Sequence, residues 1–163
     1  MEGMAGTAMI QDSYSLAIIG KARQVSKSEL DTFDIVWTVG TNLIEANEYL
    51  CLHGEHSIHP ERDISWIDVD RLQKTFTGLP LVNSICIMLA RVAYMKKINE
   101  YNLFDRVYVL ASPLISKREY MYERAGVAFW VGYLSALDIE VMWEGGWSRL
   151  DLTIPYMWNS DLG

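Results

Sequence analysis

Apolar residues in this chain gather into short unbroken runs, two of them closed by glycine. That is the pattern of strands buried on both faces of a parallel sheet rather than of half-exposed strands. Tyr14 to Gly20 (YSLAIIG) is the first such run, Ile35 to Gly40 (IVWTVG) the second, Arg106 to Ala111 (RVYVLA) a later one and Ile139 to Trp143 (IEVMW) the last. Between the first two, Ser26 and Glu29 have capping-box spacing, which predicts a short helix over SELDTF before the chain turns at Asp34. Thr41 and Asn42 then precede Leu43 to Glu48, which reads as a second short helix. Tyr49 to His53 (YLCLH) either continues that helix or forms a third strand; the Asn-Glu pair before it and the glycine after it favour the strand. Gly54 to Asp63 is polar, proline-bearing loop, Ser65 to Val69 a short or edge strand, and Asp70 to Gly78 a weak helix.

Two long helices complete the pattern. One is capped by Asn83 or Ser84 and runs to about Tyr101, nearly apolar all round from Ile85 to Met95 and amphipathic from Lys96 and Lys97, as suits a helix laid on a sheet. The other follows Ser112-Pro113 and covers about Lys117 to Leu137, where Gly126 and Gly132 predict close packing on the sheet. Strand, loop and helix in tandem predict a Rossmann-like α/β three-layer sandwich with a mostly parallel sheet of five or six strands. A single domain over residues 14–163 is expected, behind a loose N-terminal arm, Met1 to Ser13, that lacks the basic start and apolar centre of a secretion signal. The tail from Trp147 to Gly163 is too apolar to float free, and is expected to pack either on this chain or at a homo-oligomer interface.

Composition narrows the function classes. With 50% apolar and 21% charged residues in 163, the chain is neither disordered nor collagen-like, and two cysteines cannot build a disulfide framework. Cys51 and Cys86 sit in apolar runs and read as reduced core thiols of a cytoplasmic protein. Lys and Arg number 14 against 21 Asp and Glu, a net charge of -7, so general attraction to nucleic-acid backbones or anionic lipid is not expected, although a local basic pocket is allowed. The longest apolar stretch, Ala125 to Leu137, falls short of the roughly 20 residues that cross a bilayer.

In an open parallel sheet the ligand crevice lies beyond the carboxyl ends of the strands. There this chain carries Gly20, Lys21 and Arg23, then Gly40, Thr41 and Asn42, then His53 and Glu55, and Ser112. Glycine lets backbone amides approach a phosphate, and Lys21 and Arg23 supply positive charge, so these residues predict a site for an anionic small molecule. The alternative is a set of solvated loop charges. Neither GxGxxG nor GxxxxGK[ST] occurs, and no motif specifies a cofactor. His53, His56 and His59, interleaved with Glu55 and Glu61, raise a metal alternative, but their spacing matches no standard zinc signature and solvated histidines are favoured. Of the three, His53 stands at a strand's carboxyl end and is the candidate acid or base. On the second long helix Glu119 and Glu123 share a face and border the crevice, as hydroxyl-binding candidates or as ordinary surface carboxylates. There is no GxSxG, so a serine-nucleophile hydrolase lacks support.

LAIIG followed by a loop, DIVWTVGTN, a strand ending at His53, NSICIMLARVAYM leading into RVYVLAS, and EYMYERAGVAFWVGYLSALDIEV together resemble small Rossmann-like proteins of tailed phages. In outline they look like the nucleotide-binding half of the sialyltransferase-like and pterin-pyrophosphokinase-like group, over about Tyr14 to Val141. The resemblance implies that Gly20 with its following loop and Asn42 face a nucleotide or nucleotide-sugar phosphate, that His53 stands near it, and that Ser84 caps the helix behind. Where such transferases carry a GPSL-like turn, this chain has KARQ. The EYMYERAGVAFWVGYLSALDIEV stretch is also similar, more loosely, to nucleoside deoxyribosyltransferase-like and lysine-decarboxylase-like nucleotide hydrolases, which implies a ribose-holding role for Glu123. The expected function is therefore nucleotide or nucleotide-sugar binding, with glycosyl- or nucleotidyl-type transfer. The alternative is a non-catalytic phage accessory protein that sequesters a nucleotide signal or binds a host protein.

Overall fold

The computed structural model describes residues 13–39, 42, 44–51, 64–99, 103–112 and 118–144. Six strands form one sheet: β1 (Tyr14–Ile19), β2 (Ile35–Val39), β3 (Glu48–Cys51), β4 (Ile64–Trp66), β5 (Phe104–Leu110) and β6 (Glu140–Trp143). Their order is β4-β3-β2-β1-β5-β6 and every neighbouring pair is parallel. The α/β class holds, and the sheet is parallel throughout. The helices are α1 (Lys27–Leu30), α2 (Val69–Thr75), α3 (Ser84–Asn99) and α4 (Arg118–Ser135).

Strand order and burial explain each other. β1 lies between β2 and β5, and its Leu16, Ala17, Ile18 and Ile19 are wholly buried, which is why the run is apolar without alternation. Successive side chains nevertheless serve different layers. Leu16 and Ile18 join Trp37, Val107 and Val109 under α2, α3 and α4, whereas Ala17 and Ile19 join Val36 and Leu30 on the side of α1. Right-handed crossovers demand this division: α1, on the step from β1 to β2, falls on one face, and α2, α3 and α4, on the steps back to β5 and on to β6, fall on the other. The winding therefore reverses between β1 and β5.

Local signals start the helices. Ser26 caps α1 in a full capping box with Glu29, as its spacing predicts. Asp68 caps α2 through the Arg71 amide, 2.9 Å away. At α3 the cap is Asn83, whose Oδ1 accepts from the Cys86 amide at 2.8 Å, so Ser84 is the first helical residue and not the cap. Gly126 fits the predicted close approach, but towards the loop and helix beside α4 rather than the sheet: an added Cβ would lie 2.7 Å from Val82 and 3.2 Å from the Cys86 sulfur. Gly132 has no such role, because nothing lies within 4 Å of the same position.

The helix predicted over Leu43 to Glu48 is absent among its described residues. The chain there is claimed by the sheet: the Asn47 amide donates to the Val36 carbonyl at 2.9 Å, Asn47 Oδ1 accepts from the Val36 amide at 2.7 Å, and Glu48 already opens β3. The third strand accordingly begins one residue before the predicted Tyr49. Among the described residues no helix is long and apolar enough to cross a membrane. The N-terminal arm up to residue 12 and the aromatic tail lie outside the described residues.

Candidate functional site at the carboxyl edge of the sheet

At the reversal point the loops leaving β1 and β5 stay in contact beyond their strands. The Gly20 amide donates to the Leu110 carbonyl at 2.8 Å and the Ala22 amide to the Ala111 carbonyl at 2.9 Å. Gly20 is required for this approach, since a Cβ there would stand 2.3 Å from the Ala111 oxygen and 2.9 Å from the Ser112 Cβ. Ala111 itself turns with φ 53, an uncommon conformation for a residue with a side chain. From β2, Asn42 reaches back and its Nδ2 donates to the Gly20 carbonyl at 3.0 Å and to Thr38 Oγ1 at 2.9 Å, while the Thr38 hydroxyl donates to the Ile19 carbonyl at 2.9 Å. Gly20, Asn42 and Ser112 are thus gathered at one edge, as the sequence implies.

Arg23 is gathered there too, with partners that the sequence did not suggest. Its Nε donates to Glu144 Oε1 at 2.7 Å, one terminal nitrogen to Glu29 Oε1 at 2.8 Å, and the other to the Gln24 carbonyl at 2.7 Å. Glu144, the residue after β6, also accepts from the Ala111 amide through Oε2 at 2.7 Å. The ion pair therefore runs over the end of β5 from the β1 loop to β6. These contacts raise the Arg23 pKa above its ordinary value. The Arg23 guanidinium, with the Ser26 amide and hydroxyl, lowers Glu29 to about 2, and the same guanidinium, with the Ala111 amide, lowers Glu144. Arg23, expected to supply positive charge to an anionic ligand, faces two carboxylates in this structure.

From this edge a cleft of about 1260 Å³ runs along the α1 side of the sheet. Val25, Leu30, Phe33, Val36 and Ile44 supply its apolar surface, and its charged lining is mixed, with Lys21, Arg23 and Lys27 against Asp31, Asp34 and Glu45. Lys27 stands 3.4 Å from Asp31 and 3.8 Å from Glu45. A small molecule with an apolar ring and several hydrogen-bonding groups suits such a lining better than a bare anion does.

Glu123 is not among the cleft residues. It stands in the α3–α4 layer, where its Oε2 accepts from Asn83 Nδ2 at 3.0 Å, so that one asparagine both caps α3 and holds α4. Nearby Cys86 is wholly buried and desolvation raises its thiol to about 11, which fits the core thiol expected from the sequence. Gly40, Thr41, His53, Glu55, His56 and His59 lie outside the described residues, as does the side chain of Glu119 on α4. Among the described residues no group of three or more His, Cys, Asp or Glu is arranged to hold a metal.

Sequence reasoning missed Glu144. The signal was available, because an acid directly after a strand's carboxyl end obeys the same rule that singled out Gly20 and Asn42. The fold and edge define an open, doubly wound α/β protein with a cleft on the α1 side of its sheet, beside the loop that leaves β1. No family model, curated protein or solved structure matches the chain.

Proposed function

We propose that the protein binds a nucleotide or nucleotide-sugar at the carboxyl edge of its sheet, with the phosphate over the ends of β1 and β5 and the base and sugar in the cleft beside α1. The observation that carries this reading is the reversal of winding between β1 and β5, since ligands of open α/β sheets bind in the crevice at such a point. The lining supports it further: Lys21 and Asn42 stand at the mouth of the cleft, and the apolar surface of Val25, Phe33 and Ile44 offers a base something to lie against. Group transfer, with His53 as acid or base two residues beyond β3, belongs to the same proposal.

Denaturing freshly purified protein and analysing the supernatant by mass spectrometry tests it, together with calorimetry against ADP, CMP and a UDP-sugar. A nucleotide in the supernatant, or binding of one of the three that weakens about tenfold or more in Lys21→Ala, is the expected result. A clean supernatant with no binding of any of them overturns the proposal. Recovery of bound ligand unchanged after incubation identifies a binding protein, and a transferred glycosyl or nucleotidyl group identifies a transferase.

A further inference from the structure

We infer that Glu144 is a built-in competitor: its carboxylate occupies the anion position at the reversal point, and the ligand's phosphate enters by displacing it. The inference rests on the nucleotide-binding reading above and adds how that site is controlled. Three observations support it. The groups that hold Glu144, the Ala111 amide at 2.7 Å and the Arg23 guanidinium through Nε at 2.7 Å and one terminal nitrogen, are a backbone N–H at the end of a strand and a guanidinium edge, the pair of groups that receives a phosphate oxygen in such a crevice. Arg23 keeps other anchors, because Glu29 and the Gln24 carbonyl hold its two terminal nitrogens, one of them shared with Glu144, and Glu29 is itself fixed by the Ser26 amide at 3.0 Å. Once Glu144 leaves, the Nε edge remains aimed at the vacated place.

Charge supplies the third. One guanidinium already faces two carboxylates, so a phosphate added to the cluster meets net repulsion until one carboxylate goes. Glu144 is the one able to go. Both carboxylates are partly exposed, but Glu144 follows the last residue of β6 and is in no cap, whereas Glu29 is tied into the capping box of α1. Ion pairs this open to water exchange readily, which makes displacement feasible.

The test is calorimetry of inorganic pyrophosphate and of ADP on the full chain, wild type against Glu144→Ala and Glu144→Gln. Both ligands should bind Glu144→Ala about tenfold more tightly, the change that follows from removing a competitor worth about 1.4 kcal/mol. Glu144→Gln, which keeps a neutral acceptor for the Ala111 amide, should fall between. In the wild type, ADP should shift the NMR resonances of the Ala111 amide and Arg23 Nε, a readout that stands even if a variant does not fold. Equal or weaker binding by a folded Glu144→Ala, or an ADP complex in which those two resonances do not move, overturns the inference while leaving nucleotide binding intact. If neither wild type nor variant binds ADP or pyrophosphate, the inference and the functional reading both fall.

Discussion

The two faces of the sheet are built to different standards. Under α2, α3 and α4 lie 24 buried core residues among those described, including Trp130, whose ring meets Phe76 at 5.1 Å and whose indole donates to the Pro80 carbonyl. On the α1 side, among the described residues, there are six, with a four-residue helix and the chain on either side of it packed over them. Among the described residues one face therefore carries most of the apolar burial. The other carries the cleft and the Arg23 cluster, so the region proposed to meet a ligand is the one that can rearrange without unfolding the rest.

The sharpest way to break that comparison is a matched pair of truncations. Leu89→Ala, wholly buried in α3, should cost about 4 kcal/mol in urea unfolding, and Leu30→Ala on the thin face about 2 kcal/mol. Equal losses would mean that the faces share the load. Next in size comes Gly20→Ala, which drives a Cβ into a backbone oxygen that no rotamer change can move; about 1–3 kcal/mol of stability should go, and nucleotide binding with it. A variant as stable as the wild type that still binds ADP would contradict the close contact of the β1 and β5 loops. Asn83→Ala removes the α3 cap and the link to Glu123 on the thick face, and should cost about 1 kcal/mol while leaving ADP affinity unchanged. A matching loss of affinity would instead restore Glu123 to the ligand site.

The smallest effect concerns pH. Glu29 is held at about 2 in the folded chain against an ordinary 4.5, so its contribution is complete above about 4.5 and disappears as pH falls towards 2. Melting temperature should decline across that interval, and less steeply in Glu29→Gln. Identical acid profiles for the two proteins would show that the thin-face ion pairs contribute nothing measurable.

What the sequence discloses follows the same division. β1 and β2 are legible because two-sided burial leaves continuous apolar runs, β6 because its buried residues alternate with exposed ones, and α1 because Ser26 and Glu29 interact over three residues. Local signals fail where distant backbone decides the matter. Residues 44–47 look helical by composition, yet Val36 takes both hydrogen bonds of Asn47 and draws the chain into β3. The site divides likewise. Gly20, Asn42 and Ser112 follow from their places after strands, but the Arg23–Glu144 pair joins residues 121 positions apart, and only the strand order brings β6 within reach of the β1 loop.

The most direct test of the account is an amide NMR titration of the full chain with ADP. The account predicts that the largest shifts fall on Gly20 to Gln24 and on Ala111 and Ser112, the two loops that meet where the winding reverses. Shifts confined to the groove between α4 and β6, or no shifts at saturating ADP, would contradict it.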